Sequence, residues 1–273
     1  MYNLLALTLL AIGGVWLKHY RFAALLGAII LLVSSSLTRF YIDASESSDQ
    51  DTSLRIISIN VLSDNTEYQK VLDFVDEVNP DILFLLEYSA AWDQALNKLP
   101  DDFIFHEKEI REDNFGLAVY SKVPVDSIER LSFGKFDTPS YMLNLSFEHT
   151  PLTIVGTHAI PPFHPYLFNL RTKQFIEIGN SLKQKPGEQI LIGDFNCSGF
   201  SPNFRDFLAD GHLRDSRLGF GIQPSWFART RLLKIDLDHA LVSAGLGVTN
   251  RSVGPDVGSD HLPLVLDVRI TSN

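Results

Sequence analysis

Along the chain, short apolar runs alternate with stretches whose apolar positions recur at helical spacing. The run "LRIISINV" (54–61) is apolar and β-branched enough to suit a buried strand, and "DILFLLE" (81–87) is another of the same kind. Between them Val71, Leu72, Val75 and Val78 follow helical spacing and stop before Asn79 and Pro80, a pair that disfavours further helix. The folded part therefore opens strand, helix, strand. Further runs predict strands at 116–121, 127–133, 141–147, 152–158, 189–194, 238–243 and 262–268, and helices at 165–182 and 201–209. Hairpin-like pairs mixed with strand-helix-strand units predict an α/β fold, a four-layer sandwich of two packed mixed β-sheets flanked by helices. No repeat of solenoid period is present.

The first 40 residues follow a different pattern. Residues 1–17 and 22–38 carry no charge, and the basic cluster "KHYR" separates them. Each run is near the lower length limit for crossing a bilayer. Lys18 and Arg21 follow the first run instead of preceding it, which disfavours a cleaved signal peptide and favours two short spans. The positive-inside tendency puts Lys18 and Arg21 in the cytoplasm and everything after Arg39 on the far side. The expected organisation is a membrane region (1–40), a polar linker (41–53) built around "DASESSDQDTS", and one catalytic-size domain (54–273).

Composition narrows the chemistry. The chain has 273 residues with a net charge of −10; only Lys18, Arg21, Arg39 and Asp43 are charged among the first 43, so the remainder carries −12. So acidic a domain repels polyphosphate at long range, although a bound cation inverts the sign locally. The basic clusters "RLSFGK" and "RTRLLK" (229–234) are weak counterweights. Cys197 is the only cysteine, which excludes an internal disulfide and reads more readily as packing than as a nucleophile. No G-x-S-x-G, Walker-type loop or H-E-x-x-H occurs.

Polar residues gather where the predicted strands end. Asn60, Glu87, His158, Asp194 with Asn196, Asp238, and Asp260 with His261 all stand at or beside such an end, where a rigid scaffold presents side chains to a shared crevice. Taken singly, each fits a turn or cap. Together, carboxylates and amides without sulfur suit a hard cation, Mg²⁺ or Mn²⁺, and two histidines with acidic neighbours suit phosphate-ester hydrolysis. His19, His106, His149, His164 and His212 read as surface or packing residues.

In this order the stretches "SINV", "PDILFLLE", "NFGLAVYSK", "TIVGTHAIPP", "LIGDFNCSGFSPNFRDFL", "LDHALVS" and "GSDHLPLVLDV" resemble the endonuclease/exonuclease/phosphatase superfamily. That superfamily includes pancreatic-type deoxyribonuclease, abasic-site nucleases, neutral sphingomyelinases and inositol-polyphosphate 5-phosphatases. The N-terminal apolar region with "PSWF" is similar to its bacterial membrane-anchored members, which implies an inner-membrane protein with an extracytoplasmic domain. The resemblance implies Glu87 as principal metal ligand, Asn60 placing metal or phosphate, and Asp260 close to the metal. It further implies Asp194 and Asn196 positioning water and stabilising the transition state, His261 as base or phosphate contact oriented by Asp238, and His158 on a phosphate oxygen or the leaving group. Asp236 is the fallback for Asp238. Leu62 and Leu86 replace an acidic residue and a glutamine of better-known members, which puts a second metal in doubt.

The expected activity is metal-dependent hydrolysis of a phosphodiester or phosphomonoester in nucleic acid, lipid or a small molecule. The alternative is an inactive, membrane-tethered binding module, against which the intact "GDFN" and "SDH" count. Phe163, Tyr166, Phe168 and Trp226 offer an apolar rim to a base or a lipid. No protein partner is legible.

Overall fold

A computed structural model describes residues 2–42, 53–133, 137–230 and 234–271. Most of the expected linker, part of "RLSFGK" and residues 231–233 of the second basic cluster lie outside the described residues.

The chain divides into two units, the smaller being residues 1–44 with 218–221. Its helices are α1 (Tyr2–Trp16) and α2 (Tyr20–Ile42). They reverse at Lys18, whose backbone is left-handed (φ 62°), and Gly14 lets them close up: a Cβ there would stand 3.3 Å from the Phe22 ring. Among the described residues one helix, α2, is long and apolar enough to cross a membrane; at 23 residues it spans ~35 Å against a hydrocarbon core of ~30 Å. Its hydroxyls do not spoil that, because Ser35, Ser36 and Thr38 each donate to the carbonyl three residues earlier. The run expected at 22–38 is thus longer, since nothing at 39–42 breaks the helix; α1, at 15 residues, is the shorter of the two.

The larger unit holds two six-stranded sheets. The first is built from β1 (Leu54–Asn60), β2 (Ile82–Leu86), β3 (Phe105–Glu109), β4 (Leu117–Ser121), β11 (Leu246–Val253) and β12 (Leu264–Ile270), in the order β11-β12-β1-β2-β4-β3. The second comprises β5 (Ser127–Phe133), β6 (Thr138–Phe147), β7 (Thr150–His158), β8 (Glu188–Asp194), β9 (Arg214–Asp215) and β10 (Asp238–Val242), in the order β5-β6-β7-β8-β10-β9. The helices are α3 (Tyr68–Val78) and α4 (Ala90–Ala95), then α5 (Pro165–Lys183) and α6 (Pro202–Gly211). Ser201 caps α6 by accepting from the Phe204 N–H at 3.2 Å, and Pro202 follows it at the first helical position.

The sheets repeat one another. Each is centred on a parallel pair, β1 and β2 around α3, or β7 and β8 around α5. Each pair is flanked by antiparallel strands, β12 and β4 in one sheet, β6 and β10 in the other.

Strand alternation then decides where the polar ends point. Ile57, Ile59, Leu83 and Leu85 pack with Val71, Phe74 and Val75 of α3, while Val155, Leu191 and Leu241 pack with Phe175, Ile178, Phe204 and Phe207 of α5 and α6. The alternate positions face the other sheet, where Phe84 lies so close to Gly156 that a Cβ would come within 2.2 Å of its ring. Asn60, His158, Asp194 and Asp238 share that inward phase, so they emerge together at one end of the layer between the sheets.

Candidate functional site

Three of these side chains form a row by register alone: His158 pairs with Asp194 across β7 and β8, and Asp194 with Asp238 across β8 and β10. Gly193 allows the turn into the row; its φ is 141°, and a Cβ would stand 1.9 Å from the Thr157 carbonyl oxygen. Asn196 then turns back with φ 47°, its N–H donating to Asp194 Oδ1 at 2.8 Å and its amide to the Ala159 carbonyl at 2.9 Å.

Asp194 Oδ2 is the meeting point. The Asn60 amide lies 3.4 Å from it, the Asn196 amide 3.4 Å, His158 Nε2 3.5 Å and His261 Nε2 3.6 Å. All four are longer than an ordinary hydrogen bond, spacing that suits a fifth group received between them.

Glu87 follows β2 in a left-handed conformation (φ 60°), a strained choice for a glutamate. Its neighbours hold it there. Asn60 Nδ2 donates to Oε1 at 3.0 Å, the Ser63 N–H to Oε2 at 3.2 Å, and the Ser63 hydroxyl to the Glu87 carbonyl at 3.2 Å. Gly116 lets the next residue approach, because a Cβ there would lie 2.0 Å from the Tyr88 carbonyl oxygen.

His261 reaches the row from the loop before β12. Its Nδ1 is 2.8 Å from Asp238 Oδ2, which also accepts from the Ser225 hydroxyl. Ser259 anchors this loop, donating to the Asn60 carbonyl at 2.7 Å and accepting from the His261 N–H at 3.1 Å. Asp260 turns beside them: its Oδ2 accepts from the Trp226 indole at 3.0 Å, while its buried Oδ1 has no hydrogen-bond partner among the described residues.

Burial raises the Asp194 and Glu87 carboxyls above the usual range, His261 pulling Asp194 back only partly and Asn60 doing the same for Glu87. Burial also opposes the charge on Asp238, yet His261 outweighs it and holds that carboxyl low. His261 itself loses solvation but is pushed up to about 10 by Asp238 and Asp194, so it carries a proton at neutral pH. His158 is depressed by burial and is neutral.

The oxygen donors of Glu87, Asn60 and Asp260, with no sulfur among them and one buried carboxylate oxygen left without a partner, fit a hard divalent cation. Asp194, Asp238 and His261 also present atoms within 4.8 Å of one another, but Asp238 Oδ2 and His261 Nδ1 are already bonded together.

All eight sequence-predicted residues thus gather at one end of the two sheets. Asp236, the fallback, is ion-paired to the buried Arg217 and accepts from the Ser198 hydroxyl at 2.9 Å, outside the row. Cys197 is buried, which raises its thiol pKa, so it lacks the thiolate a nucleophile needs. His19, His106, His149, His164 and His212 are exposed. Ser63, Ser225 and Trp226 hold the site residues in place; their signal in the sequence, a serine two beyond Val61 and "PSWF" ahead of "LDHALVS", is too plain to assign such contacts.

The sequence model described as Endonuclease/Exonuclease/phosphatase family matches residues 57–261. No curated protein matches the chain. Among solved structures, humanized D. rerio TDP2 is similar at TM-score 0.66 and 18% identity, covering 80% of this chain and 99% of that one. D. rerio TDP2 complexed with a single-strand DNA product gives TM-score 0.65 and 17% identity over 80% of this chain and 100% of that one. An endonuclease/exonuclease/phosphatase from Beutenbergia cavernae gives TM-score 0.64 and 15% identity over 81% and 72%. At these identities the likeness is one of fold.

Proposed function

Because this chain belongs to the Endonuclease/Exonuclease/phosphatase family, we propose that it is a divalent-metal-dependent phosphoesterase, hydrolysing a phosphodiester or phosphomonoester by in-line attack of water. The observation that carries this reading is Asp194 Oδ2 with four side-chain nitrogens at 3.4–3.6 Å around it.

Glu87 and Asp260 would hold Mg²⁺ or Mn²⁺, with Asn60 beside them. When bound, the cation supplies charge neutralisation at the phosphoryl oxygens. Asp194, its pKa raised by burial, accepts the proton of the attacking water, and the Asn196 amide orients that water. His261, protonated and fixed through Nδ1 by Asp238, directs its Nε2–H at a phosphoryl oxygen as charge develops there. His158, neutral in this pocket, hydrogen-bonds a second phosphoryl oxygen or the departing group. The Asp238 and Ser225 bond fixes the imidazole orientation before substrate arrives.

The apolar helix α2 supports attachment to a membrane, and Lys18 and Arg21 support an orientation with the site outside the cytoplasm. Nucleic acid is one substrate class supported by the fold, as D. rerio TDP2 holds a DNA product; lipid or small phosphate esters are the other.

The test is hydrolysis by the detergent-purified chain, with Mg²⁺ or with EDTA, of bis-p-nitrophenyl phosphate, plasmid DNA, abasic DNA, sphingomyelin and phosphoinositides. Turnover that needs both the cation and Asp194 is expected. Turnover surviving EDTA and Asp194→Ala would refute the reading.

A further inference from the structure

Beside the site the chain runs from residue 159 to 170, "AIPPFHPYLFNL", without a single Asp, Glu, Lys or Arg. Ala159 and Ile160 are buried, but beyond them the strip shows its rings: Phe163 keeps 84% of its surface in solvent, Tyr166 52% and Phe168 40%. Pro161, Pro162 and Pro165 fix the backbone around Phe163, and helix α5 fixes that of Tyr166 and Phe168, so the rings are displayed at little further cost in conformational entropy.

Both ends of the strip are fastened to site residues. The Ala159 N–H donates to the Asp194 carbonyl at 2.8 Å, and the Ala159 carbonyl accepts from the Asn196 amide. At the other end the Arg171 guanidinium lies 5.2 Å from the Phe168 ring centre and donates to the Asn196 carbonyl.

Aromatic rings that stack on a polynucleotide work beside cations that track its phosphates. Here the nearest cation in sequence, Arg171, is 4% exposed and bonded to Asn196, and the whole chain carries −10. Uncharged aromatic surface instead matches the interfacial region of a bilayer, where rings partition without electrostatic help. The same chain carries a helix long and apolar enough to cross one.

We infer that the 159–170 strip is a membrane-docking surface, inserting Phe163, Tyr166 and Phe168 among lipid headgroups and so bringing a lipid-borne phosphate ester to the site. The inference rests on the phosphoesterase reading for its substrate class, and the docking itself is tested without turnover.

The full chain, bearing Phe163→Cys and spin-labelled there, is reconstituted in phosphatidylethanolamine and phosphatidylglycerol vesicles; native Cys197 is buried and stays unlabelled. Power saturation compares collision with oxygen and with a water-soluble nickel chelate. The oxygen-to-nickel ratio is expected to be several-fold higher than for Glu77→Cys, a label on the exposed face of α3. Equal ratios would overturn the inference.

In the second arm, replacing Phe163, Tyr166 and Phe168 together by Ser is expected to lower turnover of a vesicle-borne phosphate ester ~tenfold relative to soluble bis-p-nitrophenyl phosphate. An equal fall on both substrates overturns it. So does loss of oligothymidylate binding in this variant with the label in water, which assigns the strip to a polynucleotide. A chain that docks yet hydrolyses nothing would sink the phosphoesterase reading and leave the docking surface standing.

Discussion

At the scale of single residues, the site's working parts are set by what surrounds them. Replacing Asp194 by Asn keeps its shape and removes its basicity; kcat is expected to fall ~1,000-fold, with substrate affinity read separately from single-turnover titrations. Trp226 acts one step further out, through the hydrogen bond from its indole to Asp260. Trp226→Phe keeps the ring and loses that donor, so ~10-fold or more cation should be needed for half-maximal turnover and in a calorimetric Mn²⁺ titration. His239 gives a pH signature of another kind. It is fully buried, 2.7 Å from the Cys197 carbonyl, and burial depresses its pKa to about 4. Unfolded, it binds a proton near pH 6.5, so between about 6.5 and about 4 the unfolded chain holds more protons than the folded one. Stability should therefore fall as pH drops through that window, and His239→Gln should flatten the slope in thermal melts. Every member of the row was legible in the sequence because each stands at one end of an apolar run, His158 and Asp194 at its close and Asp238 at its opening. The choice of Asp238 over Asp236 was legible only by resemblance, since the two stand two residues apart at the start of one apolar run and only three-dimensional contact shows Arg217 claiming Asp236. The supporting Ser63, Ser225 and Trp226 act across the chain through bonds that no local pattern encodes.

At the scale of elements, the strands match expectation where a run of apolar or alternating residues marks them, including the largely exposed β5 at Ser127–Phe133, and escape it where no such run exists. β1, β2, β4 and β8 are buried along most of their length and read as apolar runs. The edge strand β3, "FHEKE", has no fully buried residue, and β11, "LGVTNRSV", mixes glycine with polar residues and carries a bulge near Val248. Neither has a hydrophobic period to read. The six-residue helix α4 is likewise too short to show one. The inter-sheet layer makes its own prediction. With Phe84 pressed on Gly156, Gly156→Ala must push β7 away from β2, costing ~1–3 kcal/mol in urea unfolding and lowering turnover by displacing His158 at the end of the same strand.

At the scale of the whole molecule, the apolar helix α2 and the acidic domain call for different surroundings. On the proposed orientation, protease added to intact spheroplasts should digest the domain from outside; protection until lysis would reverse that orientation. The order β11-β12-β1-β2-β4-β3 bears on how such a molecule is made. Strand β1 is the first of its domain to be synthesised, yet its antiparallel neighbour is β12, with Leu54 opposite Val268. Until β12 has been added, one side of β1 lacks its partner, and the loop carrying Asp260 and His261 has only bonds such as those to Asn60, Trp226 and Asp238 to hold it. A nascent chain of this topology is expected to close its first sheet, and with it the site, only when nearly all of it has been made.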